Sequence, residues 1–424
     1  MSQGVASPDA TLRRTVLPNG LTVLSEHMPG VRSVAFGAWV RAASIHEPAE
    51  RMGVSHFLEH MVFKGTRRRS ARQIALELEA LGGSLDAYTA REHTSFEARV
   101  LDEHLDVAVD VIGDIVFEPA LRAKDVALER RVILEEIGMV DDTPDDLVFE
   151  LHAQQLWGGN PYGFQILGTR ETVRGLGVTE LRELHERAYR PGQIVLAAAG
   201  NVSHERLLDA LERTGWSSRP AGAPDGVVAP APRPEPASRS HVSRDGAQTH
   251  IVLGSVTVPH ADPRRRAIEL VSTVLGGGMS SRLFQRVREE LGLAYDVHAF
   301  HEFHADTGTH GVYVGTGPDT AASALDAIQE ELASIAASGL PESELAMGKS
   351  QLKGQLTLAL ERPSARMYRA AAVELYGEPW LSLDALLAEI DAIDATTVAE
   401  VSRLFLAPEV QTVLSLGPGE APWR

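Results

Sequence analysis

The chain has 424 residues, 44% hydrophobic and 23% charged, more than one core usually holds, which predicts two domains of roughly 200 residues each. A formal net charge of −18, from 58 Asp and Glu against 40 Lys and Arg, argues against a nucleic-acid surface, whose affinity comes from neutralising phosphates. With 0 Cys there is no disulfide, thiolate nucleophile or Cys-ligated zinc, and no apolar run approaches the roughly 18 residues that span a bilayer.

Residues 1–14, MSQGVASPDATLRR, lack the basic start and apolar stretch of a secretory signal, so the expected address is cytoplasmic. Next, LPNGLTVL reads as a hairpin around Asn19 and Gly20 in a type I′ turn, and VRSVAFGAWVRAA as a buried strand. Helical spacing follows over 52–63 and 70–81, and paired-strand alternation over 83–100. Long helices are expected over about 104–116 and 121–155, and a closing strand over 193–199. Such an order predicts an α+β domain with helices on one face of a largely antiparallel sheet.

Prolines 220, 224, 230, 232, 234 and 236 then mark an extended linker. The predicted organisation is a domain over 1–216, a Pro- and Ala-rich linker over 217–240 and a second domain over 241–424. The halves are related: at one offset of 217 residues, Pro191 and Gly200 fall on Pro408 and Gly417, and Gly37 of SVAFGAWV falls on Gly254 of HIVLGSVTV. Signals that far apart sharing one offset predict a duplicated domain.

The chemistry concentrates in VSHFLEHMVF, from Val54 to Phe63, where His56, Glu59 and His60 form a polar stripe on an apolar helix. Positions i and i+4 lie one turn apart, so the two imidazoles can converge on one ion with Glu59 beside them. Two neutral imidazoles suit zinc, which acidifies water, and the adjacent Glu59 is the candidate general base. An HxxEH string arises by chance in roughly one chain in twenty of this composition, so the string alone decides little. The apolar flanks decide more, because three ionisable groups on a covered helix are costly unless paired or metal-bound.

A catalytic zinc takes a third protein ligand. In LERRVILEEIGMVDD, Glu129, Val132, Ile133, Glu136 and Val140 share a face, whereas Glu135 shares its face with Arg131, Gly138 and Asp142. Glu129 and Glu136 are therefore the inward carboxylates, and spacing does not separate their roles. In the second half, REELG reads as a helix end capped by Gly292, and Tyr295 as a strand start, so Arg288 and Tyr295 meet at a corner. His298, His301, His304 and His310 read as surface histidines.

HxxEH reverses the HExxH order and is the inverzincin signature. With GVSHFLEHMVFKGTRRRS, LDAYTAREHTSFEA, ERRVILEEI, IVLAAAGNVS and LGGGMSSRLFQRVREELGLAYDVHAF, nearly the whole chain resembles the pitrilysin-like M16 metallopeptidases. It looks most like the catalytic β subunit of the mitochondrial processing peptidase and its bacterial relatives. The resemblance implies two homologous α/β-roll domains, each a sheet with helices on one face, forming a clamshell. It implies one zinc per chain held by His56, His60 and Glu136, with Glu129 supporting from behind and Glu59 as base. At the offset of 217, His56, Glu59 and His60 fall on Thr273, Gly276 and Gly277, so the second half is expected to hold no metal.

By the same resemblance, Arg288 and Tyr295 donate hydrogen bonds where the oxyanion develops, and Asp146 and Glu150 favour an Arg-bearing substrate. A peptide is expected to add as a strand along Ser84–Ala90, where Asp86 stands in place of the family's usual Asn. The expected activity is an endopeptidase acting on unstructured peptides or presequence-like segments, in a homodimer or in a heterodimer with another M16 chain. The rival is a non-catalytic structural or substrate-holding subunit, a type that characteristically loses ligands; here His56, Glu59, His60, Glu136, Arg288 and Tyr295 are all present.

Overall fold

The structure, a computed structural model, describes residues 12–221 and 228–423. Most of the segment read for a leader, and residues 222–227 of the linker, lie outside the described residues. The first half contains strands β1 (Arg13–Val16), β2 (Thr22–His27), β3 (Ser33–Val40), β4 (Ser84–Thr89), β5 (Thr94–Leu101) and β6 (Ile194–Gly200). Its helices are α1 (Val54–Val62), α2 (Ala71–Glu79), α3 (Leu105–Phe117), α4 (Ala123–Asp142), α5 (Pro144–Trp157), α6 (Arg170–Gly175), α7 (Val178–Ala188) and α8 (His204–Arg213). The second half adds β7 (Arg239–Ser243), β8 (Thr249–Thr257), β9 (Ala294–Phe303), β10 (Gly308–Thr316) and β11 (Thr412–Gly417). With them come α9 (Arg265–Gly276), α10 (Ala321–Ser338), α11 (Glu342–Ala359), α12 (Pro363–Tyr376), α13 (Leu383–Ala392) and α14 (Ala395–Phe405).

Two prolines adjust the expected elements. In the β1–β2 hairpin, Gly20 N–H donates to Leu17 O at 2.8 Å and Leu17 N–H to Leu21 O at 2.9 Å, so Pro18 and Asn19 are the central residues. The Pro18 ring presets the φ of a type I turn, and only Gly20 has positive φ (90°), which replaces the expected type I′ turn. Asn19 spends its side chain instead, donating from Nδ2 to Trp216 O at 2.9 Å. The single helix expected over 121–155 breaks at Thr143, because Pro144 lacks the N–H that would continue α4 and opens α5 as its first residue.

The two sheets share a pattern. The first runs β1-β2-β6-β3-β5-β4 and the second β7-β11-β8-β10-β9. The β2/β6 and β7/β11 pairs are parallel, and the steps that follow in each sheet are antiparallel. Gly37 on β3 and Gly254 on β8 occupy matching strands, and each has a packing reason. A Cβ on Gly37 would lie 2.6 Å from the Trp39 ring, and one on Gly254 would lie 2.7 Å from the His152 ring.

Contact density divides the chain differently from the expected boundaries at 216 and 241. One unit is Met1–Glu135, Gln165–Ala229 and Thr357–Ala385; the other is Glu136–Phe164, Pro230–Leu356 and Leu386–Arg424. The halves have exchanged helices. Met367, Ala370 and Ala371 of α12 bury against Leu24, Ala35, Trp39, Val195 and Ala197 of the first sheet. Leu147 and Val148 of α5 bury against Val252, Tyr313, Leu414 and Leu416 of the second. Linear composition could not reveal this, since an apolar helix face does not say which sheet it covers. Ion pairs anchor α12 to its sheet: Arg14 to Glu374 at 2.7 and 2.9 Å, and Arg366 to the buried Glu26.

The core also contains histidines. Contrary to the surface reading, His304 and His310 are 5% and 1% exposed. His152 of α5 is likewise buried and bonds through Nε2 to Thr412 O at 3.1 Å; burial pushes its pKa down to about 4. The unfolded imidazole binds its proton near 6.5, so below that pH the unfolded state holds a proton that the folded state excludes. Stability therefore falls as pH drops from 6.5 towards 4, by about 3 kcal/mol for this group. His152→Gln is expected to flatten the acid limb of a melting-temperature profile by one proton; an unchanged slope would count against this assignment. Among the described residues no helix is long and apolar enough to cross a membrane.

Candidate metal centre

Helix α1 is placed by its N-terminus. Glu47, 5% exposed, accepts from the backbone N–H groups of Gly53 and Ser55, both at 2.7 Å, and so satisfies donors that the first helical turn leaves unpaired. Burial pushes the Glu47 carboxyl up to about 7, against these bonds, which favour its ionised form. Gly53, at φ 89°, packs backbone to backbone on the 167–168 turn: a Cβ there would lie 2.6 Å from Leu167 O and 2.8 Å from Gly168 Cα. No other residue fits this approach.

Val54, Phe57, Leu58, Met61 and Val62 are all at most 4% exposed, so α1 is a covered helix as its sequence suggests. His56 and Glu59 are each 9% exposed, and the His56 and His60 rings lie 4.5 Å apart between centroids. Burial, and secondarily His60, pushes the His56 pKa down to about 3, which keeps its imidazole neutral and able to donate a lone pair to a metal.

Helix α4 supplies the carboxylates. Val126, Glu129, Ile133 and Ile137 are buried, whereas Val132, expected on the inward face, is 41% exposed. The buried stripe, 126, 129, 133 and 137, runs at steps of three and four, and Val132 lies 100° off Ile133. His56, His60 and Glu136 each bring a ligand atom within 4.8 Å of the other two, the one group of this kind among the described residues. Two imidazoles and a carboxylate are a donor set that suits a catalytic zinc. Glu129, 2% exposed, lies behind: His60 Nδ1 is 3.1 Å from its Oε1, and Lys64 Nζ is 2.8 Å from its Oε2. A ring that donates from Nδ1 presents the Nε2 lone pair outward, which is how such a carboxylate orients a ligating histidine.

Glu59 does not stand alone. The Thr89 hydroxyl donates to its Oε2 at 2.5 Å, and Tyr189 is close enough that the Glu59 charge adds to burial in raising the phenol pKa. Glu47, Lys64, Thr89 and Tyr189 were not legible as site residues. Lys64 carried one signal, its i+4 spacing from His60.

The other expected residues lie in the second unit. Residues 284–290 form a π-helical segment, and Gly292 (φ 60°) ends it with its N–H on Arg288 O at 3.1 Å. The Arg288 guanidinium lies 4.4 Å from the centroid of the Tyr295 ring, which is 76% exposed at the start of β9. Asp146 and Glu150 sit one turn apart on α5, Asp146 exposed and Glu150 half-buried. The charges of Asp145, Asp296 and Asp146 add to burial in raising the Tyr313 phenol.

The family model described as "Insulinase (Peptidase family M16)" matches residues 22–170, and "Peptidase M16 inactive domain" matches residues 176–352. The chain is 40% identical over 398 residues to an uncharacterized zinc protease of Streptomyces coelicolor, covering 93% of this chain and 87% of that protein. It is 36% identical over 411 residues to the uncharacterized zinc protease YmxG of Bacillus subtilis, covering 97% and 100%. The fold is similar to a crystal structure titled as a peptidase M16 inactive domain from Pseudomonas fluorescens, at TM-score 0.90 and 20% identity over 97% of this chain and 99% of that one. A protease from Helicobacter pylori is similar at TM-score 0.89 and 18% identity, over 97% and 100%. On the family match and on these relatives, the chain belongs to peptidase family M16.

Proposed function

We propose that the chain is a zinc-dependent endopeptidase in which His56, His60 and Glu136 hold the metal and Glu59 is the general base. The observation that carries this reading is the convergence of three donor atoms within 4.8 Å, with Glu59 on the same helix as both imidazoles. Zinc, when bound, supplies a Lewis acid that polarises a peptide carbonyl and acidifies water. Glu59 takes a proton from the attacking water and returns it to the leaving amine. Glu129 holds the His60 tautomer through Nδ1.

The substrate in this reading is an extended polypeptide. Among the described residues strand β4 ends its sheet with β5 as its neighbour on one side, so its other edge offers main-chain donors and acceptors to an added strand. Arg288 and Tyr295 donate to the developing oxyanion, and Asp146 and Glu150 hold an Arg side chain. The working assembly is a pair of M16 chains in the cytoplasm.

Metal analysis of the purified chain is expected to find one zinc, and an unstructured peptide to be cut in a chelator-sensitive, zinc-restorable manner while a compact protein is spared. Cleavage that survives complete zinc removal would sink the proposal. Replacing Asp146 and Glu150 by Asn and Gln is expected to slow Arg-containing peptides selectively, and equal slowing of all peptides would remove that part alone.

A further inference from the structure

We infer that Thr89 is a positioning residue for Glu59, fixing the general base to the same strand whose edge receives the substrate. This rests on the zinc-peptidase reading above and adds a residue whose role neither the HxxEH motif nor the metal triad specifies. Thr89 is the last residue of β4, opposite Thr94 in the β5 register. Its surroundings are pinned: Ala90 N–H donates to His93 O at 2.9 Å, and the Thr94 hydroxyl to Ala42 O at 3.1 Å. From this fixed backbone the Thr89 hydroxyl reaches Glu59 Oε2 at 2.5 Å, the length of a charge-assisted O–H···O⁻ bond, with both residues 9% exposed.

The physical case is one of freedom removed. A glutamate on a helix has three side-chain torsions, and a base must hold its oxygen within hydrogen-bond reach of the water it deprotonates. The Thr89 bond fixes the carboxylate plane from the sheet side. Tyr189, 3% exposed with its ring 6.1 Å from that of Phe96, lies near enough for its phenol to feel the charge of the same carboxylate. A peptide added along β4 would then be located by the strand that locates the base, so both reactants share one rigid reference. Misplacement of about 1 Å in such an arrangement can cost on the order of a hundredfold in rate.

Thr89→Val keeps the shape and removes the hydroxyl. Its kcat is expected to fall by about tenfold or more, the effect of a lost hydrogen bond to a charged group. KM and bound zinc are expected to stay unchanged, and Thr89→Ser to restore most of the rate. In a Glu59→Gln background, Thr89→Val should cost nothing further in kcat. A second readout needs neither metal nor turnover: the melting temperatures of the zinc-free wild type, both single variants and the double variant, in which the two substitutions are expected to be non-additive.

Full kcat in Thr89→Val, a raised KM with kcat intact, loss of zinc in step with activity, or additive melting shifts would each overturn the inference. If the Val chain does not fold, Thr89→Ala takes its place in the same comparisons, still against Thr89→Ser. A zinc-loaded wild type that cuts no peptide would instead refute the peptidase reading, and the zinc-free cycle would still report whether Thr89 holds Glu59.

Discussion

Glu59→Gln is expected to keep one zinc per chain and to lower kcat by roughly a hundredfold to ten-thousandfold, the usual contribution of a positioned base. The amide has nearly the volume of the carboxylate, so α1 and its covering residues remain packed, while the charge-assisted bond from the Thr89 hydroxyl is reduced to a weaker neutral contact. What is lost is the capacity to take a proton. Zinc content by metal analysis and kcat on one unstructured peptide check the two halves of this statement together. A Gln variant that retains wild-type turnover would assign the base elsewhere; one that loses its zinc would show that Glu59 supports the metal instead of the proton transfer.

The second large effect concerns the metal. His60→Ala removes one of three donors, and at micromolar free zinc the variant is expected to be isolated without metal and without activity. Glu129→Gln leaves all three donors and disturbs only the bond to His60 Nδ1 and the pairing with Lys64, so its zinc affinity is expected to fall by about ten- to a hundredfold. The order of the two variants is the informative result. It can be read without turnover, because zinc stabilises the folded chain by an amount that grows with the logarithm of its affinity. Added zinc should raise the melting temperature of wild type most, Glu129→Gln less and His60→Ala not at all. Equal shifts in all three would mean that zinc binds somewhere else.

The exchanged helices bear on such experiments. Residues of α5 belong to the body built on the second sheet and those of α12 to the body built on the first, although each lies in the opposite half of the sequence. A truncation at the 217–240 linker would therefore strip each sheet of the helix that covers Trp39 and Ala197 in one case and Val252 and Leu416 in the other. The full chain is the object to test.

Much of the centre is written locally. The i, i+4 spacing of His56 and His60 places both rings on one face of α1, because helix geometry is set by the backbone and the flanking apolar residues bury the rest. The same periodicity on α4 marks Glu129 and Glu136 as inward, and the repeated glycines at 37 and 254 announce two related sheets. Tertiary structure decided what spacing leaves open. It set Glu136 with the imidazole pair and Glu129 on His60 Nδ1, it turned Val132 outward, and it brought Thr89 and Tyr189 to Glu59 from segments 30 and 130 residues away. Periodicity states which way a side chain points from its own axis; it holds no information on which distant segment meets it, since that depends on how sheets and helices pack into a shared core. The partner of a buried polar group is therefore the part of a site that the amino-acid order conceals longest.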